Sequence, residues 1–159
     1  MPATAHATPT AKREVLLTRT IDAPRKLVFE AWTDPKHMAQ WWGPKGFTNP
    51  VCEIDARPGG AIRIHMRGPD GSVYPMTGTF REVLPPKRLV FTAVAEDLDG
   101  NPHLEALTTA TFEEEGGRTK VTVQASAVGL SPLAPQMLAG MDAGWTQSLE
   151  RLAELVEQS

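Results

Sequence analysis

The chain has 159 residues, of which 41% are hydrophobic and 22% charged, with a formal net charge of −3. That length fits one domain able to bury a core without disulfide or metal staples. The acidic balance argues against a nucleic-acid backbone as partner, and no apolar run reaches the roughly 20 residues needed to span a bilayer.

Residues 1–12 are small and polar and read as a disordered tail, leaving 13–159 as a single domain. The tail lacks the continuous apolar stretch of a secretory signal. Cys52 is the lone cysteine, so no internal disulfide can form. Both features suit the reducing cytoplasm.

Residues 14–21 place Val15, Leu17 and Ile21 among polar threonines and read as a first strand. Asp22-Ala23-Pro24 supplies a helix cap and an early proline for a short helix over 25–32. Thr33-Asp34-Pro35 repeats the signal for a second helix over 35–41. Gly43-Pro44-Lys45-Gly46 breaks the chain into a loop. A strand-rich region follows, with strands expected at 51–56, 61–67, 73–84, 88–96, 104–113 and 118–127. In the second of these, Ile62, Ile64 and Met66 share one face and Arg63, His65 and Arg67 the other. Asp70-Gly71 marks a tight hairpin turn, because both residue types tolerate the backbone it needs.

From Met137 onward the period changes to 3.6. Met137, Leu138, Met141, Trp145, Leu149, Leu152, Leu155 and Val156 fall on one face, with Gln136, Glu150, Glu154 and Glu157 opposite. The pattern predicts one amphipathic helix of roughly 23 residues, about 35 Å long at 1.5 Å per residue. Gly140 and Gly144 lie inside it, where each costs about 1 kcal/mol against alanine. A close approach by a strand or ligand would explain them, and so would tolerated imperfection. Strands joined by hairpins are antiparallel, and an amphipathic terminal helix needs a sheet face to cover. The expected class is α+β, with one curved antiparallel sheet wrapped around one long helix.

Several runs are specific enough to compare with a known family. They are Ala31-Trp-Thr-Asp-Pro-Lys36, Trp41-Trp-Gly-Pro-Lys-Gly-Phe47, Arg57-Pro-Gly-Gly60 and Met66-Arg-Gly-Pro-Asp-Gly71. Leu84-Pro-Pro-Lys-Arg-Leu-Val-Phe91 and Gly140-Met-Asp-Ala-Gly-Trp-Thr-Gln-Ser-Leu149 complete the set. Together they resemble the bacterial homologues of the activator of heat-shock protein 90 ATPase, within the START/Bet v-like (SRPBCC) superfamily. The resemblance implies a helix-grip fold with a cavity between the sheet and the last helix. The co-chaperones that give the family its name carry an additional N-terminal domain, where this chain has the short tail.

If the cavity exists, its expected wall is Trp41, Trp42, Phe47, Met66, Met76, Phe80, Phe91, Met141 and Trp145. Large aromatic and adaptable thioether side chains suit a pocket, although plain core packing would use them as well. Tyr74 could donate a hydrogen bond to a ligand. Glu53, Asp55, Glu82 and Glu105 are the carboxylates that would serve acid–base chemistry if one faced an apolar cavity. Cys52 reads as a half-buried, inert small hydrophobe on a strand rather than a nucleophile. The histidines show no metal-ligand spacing, and no serine sits in a hydrolase elbow, so neither a cofactor nor a catalytic residue is assigned. Three functions remain in order. The first is binding of a small apolar or aromatic ligand. The second is interaction with a protein partner such as a chaperone, through the Lys45–Phe47 loop, in a stress-linked role. The third is a cyclase- or hydrolase-type enzyme. A monomer or a homodimer is compatible with each.

Overall fold

The structure is a computed structural model and describes residues 11–158. The part of the expected tail at 1–10 lies outside the described residues, and Lys12 already belongs to the first strand. The elements run β1 (Lys12–Ile21), α1 (Arg25–Thr33), α2 (Pro35–Trp41), β2 (Thr48–Ile54), β3 (Ala61–Arg67), β4 (Val73–Leu84), β5 (Arg88–Glu96), β6 (Pro102–Glu115), β7 (Arg118–Gly129), α3 (Ala134–Ala139) and α4 (Met141–Glu157). The seven strands form one antiparallel sheet in the order β1-β7-β6-β5-β4-β3-β2. Every consecutive pair from β2 to β7 is a hairpin, and β1 joins the far edge beside β7.

The inner face of the sheet follows strand parity. On β6, Leu104, Ala106, Thr108, Ala110 and Phe112 are buried, while Glu105 and Leu107 face outward. On β7 the inward row is Thr119, Val121, Val123, Ala125 and Ala127. Register places Phe91 opposite Thr108 and Ala93 opposite Ala106. It also sets Ala106 against Ala127 and Phe112 against Val121. The inner surface is therefore graded. Bulky Phe91, Phe112, Val121 and Val123 lie at one end, and the small side chains of Ala93, Ala95, Ala106 and Ala127 at the other.

The bulky end is the closed core. Here α1 and α2 bring Val28, Phe29, Trp32, Met38 and Trp41 against Phe112, Phe91 and α4 residues Leu149, Leu152 and Val156. Trp32 is fully buried and lies 4.8 Å from Trp41 and 5.7 Å from Phe112, ring centre to ring centre. Gly78 serves the curvature of the sheet. A Cβ there would lie 1.9 Å from the carbonyl oxygen of Thr92, so only glycine lets β4 and β5 approach so closely.

Two local expectations are corrected. The final helix is not one continuous rod. It divides at Gly140 into α3 of 6 residues and α4 of 17. The N–H of Gly140 bonds back to Leu138 and Met137, closing α3 with a tight turn before α4 begins. Glycine's low helix propensity makes this the place to break, while the apolar face continues across the junction. In addition, Asp22 does not cap α1. Pro24 occupies the cap position without a side-chain bond, and the Asp22 N–H instead donates to Glu157 Oε2 at 3.0 Å. Asp34 does cap α2, accepting from the Lys36 N–H at 2.8 Å.

Candidate functional site

Above the alanine-rich end of the sheet, Ala134 and Leu138 of α3 pack on Leu104 and Ala106, and beside this contact a cavity of about 240 Å³ remains beneath α3 and α4. Its floor is Ala93 and Ala95 of β5 with Leu104, Ala106 and Thr108 of β6. Ile64, Met66, Tyr74 and Met76 of β3 and β4 form one wall. The roof is Met137 of α3 with Met141, Gly144, Trp145 and Ser148 of α4, and the loop Trp42-Gly43-Pro44 closes one side. No charged side chain lines it among the described residues. Tyr74, Pro75, Ala95 and Met137 also border a wider outer groove of about 540 Å³, which places the mouth on that side.

The loop at Trp42 is held in place from several directions. Trp42 is the C-terminal cap of α2 and is extended, and its ring meets that of Trp41 edge-on at 5.8 Å. Gly43 follows with φ +97°, a value that favours glycine. The turn exposes successive carbonyls to the guanidinium of Arg151 in α4. Arg151 Nη1 donates to Trp42, Gly43 and Pro44 oxygens at 3.1, 2.9 and 3.0 Å, and Nη2 to Gln40 O at 2.9 Å. Asn49 Nδ2 adds bonds to Ala39 O and Trp42 O at 3.0 and 2.9 Å. Burial holds the Arg151 pKa below its ordinary value.

The expected wall residues divide by position. Trp42, Met66, Tyr74, Met76, Met141 and Trp145 line the cavity. Trp41 does not. It occupies the same helical face as Met38, fully buried, with its indole N–H donating to Ala31 O at 2.8 Å. Phe80 and Phe91 lie deeper, in T-shaped contact at 6.1 Å, beside a separate void of about 10 Å³. Phe47 packs outside, its ring 5.9 Å from Tyr74. Gly144 belongs to the roof, where a Cβ would make only an ordinary contact with Pro44 at 3.9 Å.

Sequence reasoning missed the floor. The signal was present as small residues at inward parity, Ala93 and Ala95 on one strand and Ala106 and Thr108 on the next. It also missed Trp32, which stacks on Trp145 at 5.9 Å and 14° and so backs the roof from the core side.

The remaining polar candidates lie elsewhere. Glu53 pairs with Arg63 at 3.1 Å, Asp55 with Arg57 at 2.8 Å and Glu82 with Arg88 at 2.6 Å. Glu105 is exposed on the outer face. His103 Nδ1 meets Ser131 Oγ at 2.7 Å. His6 lies outside the described residues. Cys52 is half-buried, and burial, with a smaller contribution from Glu53, pushes its thiol up to about 11. Among the described residues no cluster of His, Cys, Asp or Glu could hold a metal ion, and no helix is long and apolar enough to cross a membrane.

A curved antiparallel sheet gripping a C-terminal helix, with a cavity between them, defines the helix-grip class. Residues 22–157 match the family described as Activator of Hsp90 ATPase homolog 1-like protein, and the chain belongs to that family. Among solved structures, a protein of Rhizobium leguminosarum is similar with a TM-score of 0.81 at 23% identity, over 94% of this chain and 97% of that one. A family protein of Silicibacter pomeroyi gives 0.76 at 25% identity, over 92% and 99%. One from Nitrosomonas europaea gives 0.73 at 27% identity, over 92% and 95%. No curated protein matches the sequence.

Proposed function

We propose that the protein binds a small apolar ligand in the cavity between the sheet and α4. The observation that carries this reading is the graded floor. Protein interiors are close-packed, and a dry void costs about 24 cal/mol per Å³. Sealed and dry, a void of about 240 Å³ would cost at most roughly 6 kcal/mol; open at its mouth this one costs less, yet side chains could have filled it. Leucine or valine in place of the alanines would remove that cost. Their smallness under a roof of Trp145, Met141 and Met137 supports a chamber kept open for a guest. Engineered apolar cavities of ~150 Å³ take up benzene, so the volume here suits a molecule of about one fused two-ring system.

The Lys45–Phe47 loop gives less support to a docking role. Lys45 Nζ pairs with Glu150 at 2.8 Å, its N–H donates to Gln147 at 3.0 Å, and Phe47 packs on Tyr74. The loop is spent on holding α4, which favours the cavity over a chaperone contact there.

Native mass spectrometry of protein purified from its own host, with denaturing extraction, tests the proposal. A stoichiometric small molecule that is absent from Trp145→Ala protein is expected. An empty protein that no small apolar compound stabilises in a thermal-shift screen overturns it.

A further inference from the structure

The inner row of β6 reads Leu104, Ala106, Thr108, Ala110, Phe112, and one member does not match its surroundings. Thr108 is 2% exposed, lines the cavity, and faces Phe91 on one neighbouring strand and Ala125 on the other. Its hydroxyl makes none of the side-chain hydrogen bonds of the described residues and is not among the wholly buried unpaired atoms, Trp32 Nε1, Asn49 Oδ1 and Glu82 Oε1, so it is reachable from the cavity. Valine has the same shape, suits a strand better and would leave no polar atom unpaired. A hydroxyl that makes no protein bond and opens onto a cavity is available to something inside it.

We infer that Thr108 is the polar anchor of this cavity and that the ligand is an uncharged molecule entering with one hydrogen-bonding group foremost. The inference rests on the binding reading above and adds the chemical class. Direction follows from register. Ala95 and Leu104 face each other at the mouth, and Phe91 and Thr108 face each other at the inner end. Of the other hydroxyls in the chamber, Ser148 Oγ already donates to Gly144 O at 2.9 Å, and Tyr74 stands at the mouth rather than the inner end. Thr108 is thus the donor at the inner end for a carbonyl, ether or hydroxyl oxygen. Neutrality follows from charge. No ionised side chain lines the chamber, and the nearby cations are committed, Arg151 to backbone carbonyls and Lys45 to Glu150. A carboxylate or ammonium would be buried there without a counter-charge.

The test uses three probes of one shape, 2-acetylnaphthalene, 2-isopropenylnaphthalene and 2-naphthoate, titrated by calorimetry against the wild type, Thr108→Val and Thr108→Ser. The affinity ratio of ketone to alkene is expected to fall about fivefold in Thr108→Val and to persist in Thr108→Ser, with naphthoate binding weakest throughout. A ratio unchanged in Thr108→Val, or naphthoate binding as tightly as the ketone, overturns the anchor while leaving apolar binding intact. Failure of all three probes with the folded wild type overturns both.

Discussion

Arg151 Nη1 lies 2.9 Å from the carbonyl oxygen of Gly43, so a charged side chain of α4 is bound to the backbone that presents Trp42. The same nitrogen reaches the two adjacent carbonyls, and the other terminal nitrogen reaches Gln40. A planar fork can do this where a single ammonium cannot. Arg151→Met is expected to destabilise the protein by about 2–4 kcal/mol, since several carbonyls lose a charged donor at once. Arg151→Lys should recover only a minor part. Urea unfolding gives the stability, and Trp42 emission reports the loosened loop.

Filling the chamber should stabilise the fold and abolish binding together. Ala106→Leu adds bulk to the floor, where a void now stands. The expected gain is about 1 kcal/mol or more, with loss of any ligand-induced thermal shift. A fall in stability would mean that the floor is already packed.

Trp145 has two neighbours of different character. It stacks on Trp32 at 5.9 Å and meets Trp42 edge-on at 5.4 Å. Trp145→Ala removes roof and stacking partner at once and should cost about 3 kcal/mol. Trp145→Leu keeps most of the apolar bulk and should cost less than half as much. Thermal unfolding of the two variants separates the packing contribution from the aromatic one.

Cys52 gives a pH prediction with a definite sign. Burial disfavours the thiolate, so the folded thiol titrates at about 11, above its ordinary 9.0. The protonated form is favoured by folding. That contribution is whole below pH 9 and is lost as pH rises through 11. Alkylation by iodoacetamide, followed by intact-mass analysis, should be slow at pH 7–9 and accelerate only above pH 10. Rapid labelling at pH 7.5 would contradict this.

Much of the sheet was legible because its signals are local. Inward and outward residues alternate on β3, and Asp70 accepts from the Ser72 N–H at 2.9 Å in the hairpin turn its sequence announces. The break at Gly140 was not legible. The apolar spacing from Met137 to Trp145 runs unbroken through it, and one glycine costs a helix only about 1 kcal/mol. Within the site, Trp41 and Trp42 are identical in type and adjacent in sequence, yet one is core and the other wall. What divides them is the end of α2, a boundary that sequence places only to within a few residues. The floor was hidden for another reason. Ala93 and Ala106 signal a chamber by missing bulk, and missing bulk has meaning only once the opposing helix is in place.

The graded inner face separates two tasks, holding the domain together and setting the volume of the cavity. Phe112, Val121 and Trp32 hold the domain together at one end, and the alanines set the chamber's depth at the other. A methyl group added at Ala95, at the mouth, shortens the chamber at the end away from the aromatic core. The volume of the chamber can therefore be changed by a few substitutions, on a scaffold whose foldability is left alone.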